Sequence, residues 1–328
     1  MHTSGLPGMP DNFAPADSGN PYADYSVEQL YQFISNHQLT REIGAQREYS
    51  NLGYALLGQA LTRRAGTDYE TLVRNRILVP LGMESTAIVL CPEMQARLAT
   101  GHNPVLEAVS NWDLPTFAGA GALRSTATDL LAFLEMALDI KQTPLAPALA
   151  ATLASRRRSE AGDGETSLGW WIKKNGEDEI IWHNGGTGGY VSFIGFLMKA
   201  KVGVVVLSNT STLSTDDIGQ HLLNPEIPLA APPGQRTVIS MDPKLYDRFV
   251  GRYRLKPDLI WTVARAGDRL FAYAELHEKI EIFPEGERNF FCRTMDVQIT
   301  FEGEDRGRAA SLMLQHDGQK MQGPRISE

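Results

Sequence analysis

Apolar residues recur at helical spacing through roughly the first 140 positions of this chain and at strand spacing after about position 165. Ser26-Val27-Glu28-Gln29 has the form of a capping box, and Leu30, Phe33 and Ile34 follow on one face, which predicts a first helix from Ser26. A second helix is expected after Tyr49-Ser50-Asn51. Leu52, Leu56, Leu57 and Leu61 would line its broad apolar face, Arg63 and Arg64 suit its last turn, and Gly66 supplies the stop. Thr67 to Glu70 reads as another capping box, opening a third helix through Tyr69, Leu72, Val73 and Ile77 that Pro80 ends. An irregular region anchored by Trp112 and Phe117 leads to a fourth helix, capped by Ser125-Thr126 and carrying Leu130, Leu131, Phe133, Leu134 and Leu138.

Leu168 to Lys173, Ile180 to His183, Val191 to Met198 and Val202 to Leu207 then read as consecutive antiparallel strands, the last apolar enough to predict burial on both faces. A helix over Thr215 to Leu223 closes this block. Pro225, Pro228, Pro232, Pro233 and Gly234 mark a linker. Seven short strands follow at spacings near ten residues, from Phe249–Leu255 to Ser311–His316, punctuated by Gly267, Gly286, Gly303 and Asp317-Gly318. The expected class is α+β: residues 1–225 form a helical subdomain and an antiparallel sheet with a cleft between them, 226–238 a proline-rich linker, and 239–328 a small all-β barrel or meander. A structural or lid role is expected for that last domain ahead of a ligand pocket inside it.

Composition narrows the partners. The 328 residues carry a formal charge of -8, which argues against nucleic acid because phosphate binding needs a concentrated basic face. The basic run Arg156-Arg157-Arg158 reads as a solvated segment. Cys91 and Cys292 lie far apart without C-x-x-C spacing, so neither a zinc site nor a disulfide framework is indicated. No cofactor motif is found, and His37, His102, His221, His277 and His316 are scattered without metal-ligand spacing. No apolar run reaches membrane-spanning length. The opening Met-His-Thr-Ser-Gly is not a leader, the first 25 residues read as an irregular surface segment, and the compartment is left open.

Candidate chemistry centres on Trp182-His183-Asn184-Gly185-Gly186-Thr187-Gly188-Gly189-Tyr190, read as a strand end running into a glycine-rich turn. Glycines leave amides open to a ligand, so Gly185 and Gly186 could donate to a developing oxyanion beside the titratable His183. The residues alone equally allow a hairpin turn with a surface histidine. Tyr49, placed just outside a helix, could shuttle a proton if a cation nearby lowers its pKa, and Asn51 could bind a substrate amide.

The order of several motifs is more specific. His-Thr-Ser-Gly-Leu-Pro at 2–7, Tyr-Ser-Asn at 49–51, Pro-Leu-Gly-Met at 80–83, Gly-Ala-Leu-Arg-Ser-Thr-Ala-Thr-Asp-Leu at 121–130 and His-Asn-Gly-Gly-Thr-Gly-Gly-Tyr at 183–190 resemble the penicillin-recognising serine hydrolases. These comprise class C β-lactamases, DD-peptidases and family VIII carboxylesterases. The resemblance spans residues 1 to about 223, and the tail resembles the β-barrel domain of many related proteins. It implies Tyr49 and His183 as catalytic groups, the latter in the place of the K-T-G lysine. It further implies Asn51, Asn184 and Thr187 as substrate-binding residues and Gly186 as oxyanion donor. The family's S-x-x-K nucleophile motif occurs nowhere in the 328 residues; Ser240 with Lys244 has the wrong spacing. The expectation is therefore a serine hydrolase of small esters, amides or β-lactams, truncated before its nucleophile and impaired, with an esterase or peptidase favoured over an efficient β-lactamase. The competing expectation is a non-catalytic binding protein on the same fold, and self-association covering exposed core surface is a further one.

Overall fold

The computed structural model describes all residues except 105, 159–163, 212–214, 230–235, 257–258, 275–278, 294–296, 306, 317–318 and 327–328. The linker residues Pro232, Pro233 and Gly234, the turn Asp317-Gly318 and His277 thus lie outside the described residues. The chain divides into two compact units, Met1–His102 with Ala108–Leu229, and Asn103–Glu107 with Ala230–Glu328.

In the first unit, α1 (Val27–Asn36) begins at the predicted capping box, with reciprocal bonds between Ser26 and Gln29. Helix α2 (Asn51–Ala65) is capped by Ser50 and stopped by Gly66 in the left-handed conformation. Its buried face is not the predicted leucine stripe. Leu52, Ala55, Gly58 and Thr62 face inward, while Leu57 and Leu61 are exposed. The reason is a close helix approach: a Cβ on Gly58 would stand 3.2 Å from the Cα of Gly119 in α6 (Ala118–Gly121), so the small side of α2 takes the interior.

Asp68, not Thr67, caps α3 (Tyr69–Val73), accepting from the Thr71 amide. Glu70 reaches away to accept from the amides of Ile88 and Val89. A wide π-helical turn (Arg74–Leu78) carries the chain into α4 (Val79–Leu81), and left-handed Gly82 rather than Pro80 ends it. After α5 (Pro92–Gln95) and α6 come α7 (Ala127–Ala137) and α8 (Ala146–Ala154).

Among the described residues the sheet of this unit has six antiparallel strands in sequence order: β1 (Arg157–Arg158), β2 (Glu165–Thr166), β3 (Trp171–Asn175), β4 (Asp178–Thr187), β5 (Tyr190–Leu197) and β6 (Val202–Ser208). Alternation divides its faces. Ile181 and Phe196 pack with Leu134 of α7, whereas Ile180, Phe193 and Leu197 pack with Leu223 of α9 (Thr215–Leu223). The prediction that the Val202–Leu207 strand is buried on both faces fails, with Val202 40% and Leu207 44% exposed. An apolar run signals a buried strand only when neighbours flank it, and among the described residues β6 is the edge strand beside β5.

The second unit contains a closed barrel, ordered β10-β11-β12-β13-β14-β7-β8-β9 among the described residues. Strands β7 (Gly251–Lys256), β8 (Leu259–Ala266), β9 (Arg269–Ala274), β10 (Ile280–Pro284), β11 (Asn289–Phe291), β12 (Val297–Glu302) and β13 (Ser311–His316) follow the sequence pattern, and β14 (Gln319–Ile326) is added to it. Phe249, Tyr253, Phe290 and Phe301 fill the interior, at no more than 3% exposure each. The protein is thus α+β with an all-β C-terminal barrel.

Candidate active site

Position 50 sets the near wall of the cleft. The Ser50 hydroxyl accepts from the Gly53 amide at 2.8 Å and donates to the Pro7 carbonyl at 2.6 Å, so one buried side chain both caps α2 and ties it to the segment before. Tyr49, one residue outside the helix, stays 48% exposed, and burial of its ring raises the phenol above its ordinary value. The cation expected to lower it exerts no resolved effect. Asn51 opens α2 and lies close enough to Tyr22 to lower that phenol against the larger, raising effect of burial. Tyr22 carried no sequence signal, lying in the irregular opening segment.

The far wall is β4. It does not end at His183 but pairs with β5 through Gly185↔Ser192, Gly186↔Val191 and Thr187↔Tyr190, so the glycines belong to the ladder and only Gly188-Gly189 forms the turn. A two-residue hairpin makes Thr187 and Tyr190 the hydrogen-bonded pair, and alternation then directs the backbone groups of Asn184 and Gly186 away from β5. On that side β3 pairs only as far as Trp182. The Gly186 amide therefore sits on an open strand edge, with nothing within 4 Å of where a side chain would begin.

The glycines have unequal tasks. A Cβ on Gly188 would lie 2.5 Å from Trp112 Nε1, and one on left-handed Gly189 2.6 Å from Val109, so these two admit the protein's own loop rather than a ligand. Tyr190 finishes the wedge by donating to Asn111 Oδ1 at 2.7 Å.

His183 Nδ1 is 2.5 Å from the Asn184 carbonyl, which can only accept. The ring proton consequently resides on Nδ1, leaving the Nε2 lone pair free in the neutral form. Burial lowers the His183 pKa further, against the opposing effect of that hydrogen bond, so the ring is neutral near pH 7. The Asn184 side chain donates to Asp216 at 2.7 Å, and burial raises the Asp216 carboxyl.

Tyr49, Asn51, His183, Asn184, Gly186 and Thr187 all line one cavity of about 1070 Å³. Its lining also includes the apolar side chains of Ile77, Leu130, Phe133 and Trp170. Of the serines on its wall, Ser85 accepts from Arg97, Ser125 pairs with Thr86, Ser208 bonds Thr210, and Ser192 lies on β5 opposite Gly185. No serine is hydrogen-bonded to His183 among the described residues. Among the described residues no group of three or more His, Cys, Asp or Glu is arranged for a metal, and no helix is long and apolar enough to cross a membrane.

One feature of the first residues departs from expectation. The opening segment is laced to the start of α2: the Gly44 amide donates to the Thr3 carbonyl at 2.8 Å, Glu48 to His2 at 2.9 Å and Leu52 to Gly8 at 3.1 Å. The sequence predicts only an irregular surface segment over these residues. Contacts between positions more than 40 residues apart have no local signature.

An antiparallel sheet flanked by helices, with a Tyr-x-Asn helix start facing a glycine-rich strand edge, is the architecture of the penicillin-recognising serine hydrolases. Residues 1–224 match the family model described as Beta-lactamase, and the chain belongs to that family. Residues 235–325 match a model described as Domain of unknown function (DUF3471). Penicillin-binding protein 4* of Bacillus subtilis is 26% identical across 97% of this chain and 75% of its own length. D-alanyl-D-alanine-carboxypeptidase/endopeptidase AmpH of Escherichia coli is 28% identical over 57% of this chain, which spans about half (51%) of that relative. Among solved structures, a beta-lactamase/D-alanine carboxypeptidase from Yersinia pestis complexed with citrate superposes with a TM-score of 0.57 at 25% identity. It covers 68% of this chain and 67% of its own. The octameric penicillin-binding protein homologue from Pyrococcus abyssi, at 22% identity and TM-score 0.57, shares the fold over 98% of this chain and 76% of its own.

Proposed function

We propose that this chain builds the substrate cleft of a serine hydrolase that cleaves small esters or amides, β-lactams and peptides included, through an acyl-enzyme. The observation that carries the reading is the convergence of Tyr49, Asn51, His183 and the open Gly186 amide on one cavity. In the proposed mechanism Gly186 donates to the oxyanion, Asn51 and Asn184 orient the substrate amide, and Thr187 adds a hydroxyl contact. Tyr49 relays the proton between nucleophile and leaving group. His183, neutral with a free Nε2, stands where the family places a lysine and offers a hydrogen-bond acceptor there in place of a permanent positive charge. We further propose that the 328 residues alone turn substrate over poorly. They contain no S-x-x-K, and loss of the nucleophile from a triad-type site costs about 10⁶ in turnover.

Intact mass after incubation with an activated ester, and separately with benzylpenicillin, tests both parts. An unchanged mass with these residues alone, and an adduct once an S-x-x-K segment is joined to them, is the expected result. A stoichiometric adduct on the 328 residues would overturn the second part, and no adduct in either form would overturn the first. Saturable, reversible binding of penicillin without adduct in either form would support the alternative of a non-catalytic ligand-binding protein.

A further inference from the structure

Three contacts converge from His2 on Tyr49 and its two neighbours. The His2 carbonyl accepts the Glu48 amide at 2.9 Å, its Nδ1 accepts the Ser50 amide at 3.0 Å, and its ring stacks on the Tyr49 ring with centroids 4.1 Å apart and planes 29° apart. Both amides flanking Tyr49 and one face of its ring are therefore held by a single residue. His2 does this from a left-handed backbone conformation, φ 54°, which is strained for a non-glycine residue and persists only where surrounding contacts over-determine it. Tyr54 packs 5.0 Å from the same imidazole, so the His2 ring is bounded on two sides.

We propose that His2 is the positioning residue for Tyr49, holding the phenol toward the cleft through the Glu48 and Ser50 amides and the ring stack. This rests on the reading of Tyr49 as proton relay, but the arrangement itself is testable without turnover. A histidine suits the task chemically. Neutral imidazole offers one in-plane lone pair, and a flat face for stacking lies at right angles to it, so the Ser50 bond and the Tyr49 stack do not compete. With Nδ1 accepting, the remaining ring proton is on Nε2. Protonation would abolish the acceptor. The groups facing His2 disfavour that charge: burial comes first, then the Met1 amine, His183 and Arg47, which together lower its pKa to about 4. An imidazole that accepts an amide proton is neutral at that nitrogen.

The test labels tyrosine Cζ with ¹³C and identifies Tyr49 by the signal lost in Tyr49→Phe. In the unmodified chain the Tyr49 resonance should shift with an inflection near pH 4, as His2 gains a proton and releases the Ser50 amide. His2→Phe keeps a stacking ring without the acceptor, and its Tyr49 signal at pH 7 should already resemble that of the unmodified protein below the inflection. His2→Asn retains an acceptor and tolerates the left-handed backbone. Without the imidazole stack its signal takes a new position at pH 7, and it should lose the inflection. A Tyr49 resonance without an acid inflection, or one unmoved by His2→Phe at pH 7, would overturn the proposal. Should His2→Phe fail to fold by circular dichroism, the titrations of the unmodified chain and of His2→Asn decide it. The absence of an adduct even with an S-x-x-K segment joined tells against the proposed function, whereas the tyrosine signal alone tells for or against His2.

Discussion

Alanine at Gly188 and at Gly186 should have unequal effects on stability, although the two glycines lie two residues apart in one motif. At Gly188 the added Cβ would come within 2.5 Å of Trp112 Nε1, 2.6 Å of its Cδ1 and 2.8 Å of the Ser110 carbonyl. Ordinary contact begins near 3.5 Å, so either the indole or the hairpin must move by roughly 1 Å. The indole is not free to do so, because Tyr22 packs on it at 5.5 Å and the Trp112 carbonyl accepts from Arg124 at 2.9 Å. Overpacking of this kind costs about 1–3 kcal/mol, a factor of about 5 to 150 in the folding equilibrium. At Gly186 nothing lies within 4 Å of the new carbon, so Gly186→Ala should change stability by less than about 0.5 kcal/mol. Urea denaturation followed by tryptophan fluorescence measures both. Equal midpoints for Gly188→Ala and the unmodified chain, or a Gly186→Ala variant as unstable as Gly188→Ala, would refute the assignment of Gly188 to packing and Gly186 to the open edge.

Two further outcomes follow from the same reasoning. Ser50→Ala removes the α2 cap and strands the Pro7 carbonyl, so it should destabilise the first unit by about 1–2 kcal/mol, and an unshifted denaturation midpoint would contradict that. Gly323→Ala would place a carbon 2.1 Å from the Arg254 carbonyl where β14 crosses β7. Hydrogen exchange should show lost protection in β7 and β14, with β4 and β5 unaffected. Unchanged protection in the barrel would mean the closing strand tolerates a side chain there.

Much of this protein was legible in its residues because the relevant physics is local. Ser26 with Gln29, and Ser50 with Gly66, bracket α1 and α2 through hydrogen bonds spanning three or four residues. The barrel strands through β13 announce themselves by alternation and by glycine-marked turns. The cleft was legible for another reason: Tyr49-Ser50-Asn51 and His183 to Tyr190 are contiguous motifs whose order resembles a known family. Other features required the folded chain. Strand β14 reads as polar and contains Gly323-Pro324, and it is a strand because it closes the gap between β13 and β7. Leu57 and Leu61 are outside because Gly58 and Gly119 let α2 approach on its small side, a fact of two helices rather than one. His2 reaches Tyr49 only after 46 intervening positions have folded back. Residue type and spacing determined which elements form, since capping and alternation act within a few residues. Tertiary packing decided which faces are buried, which amide stands open at the cleft and which side chain holds the tyrosine, since each depends on groups far apart in the chain.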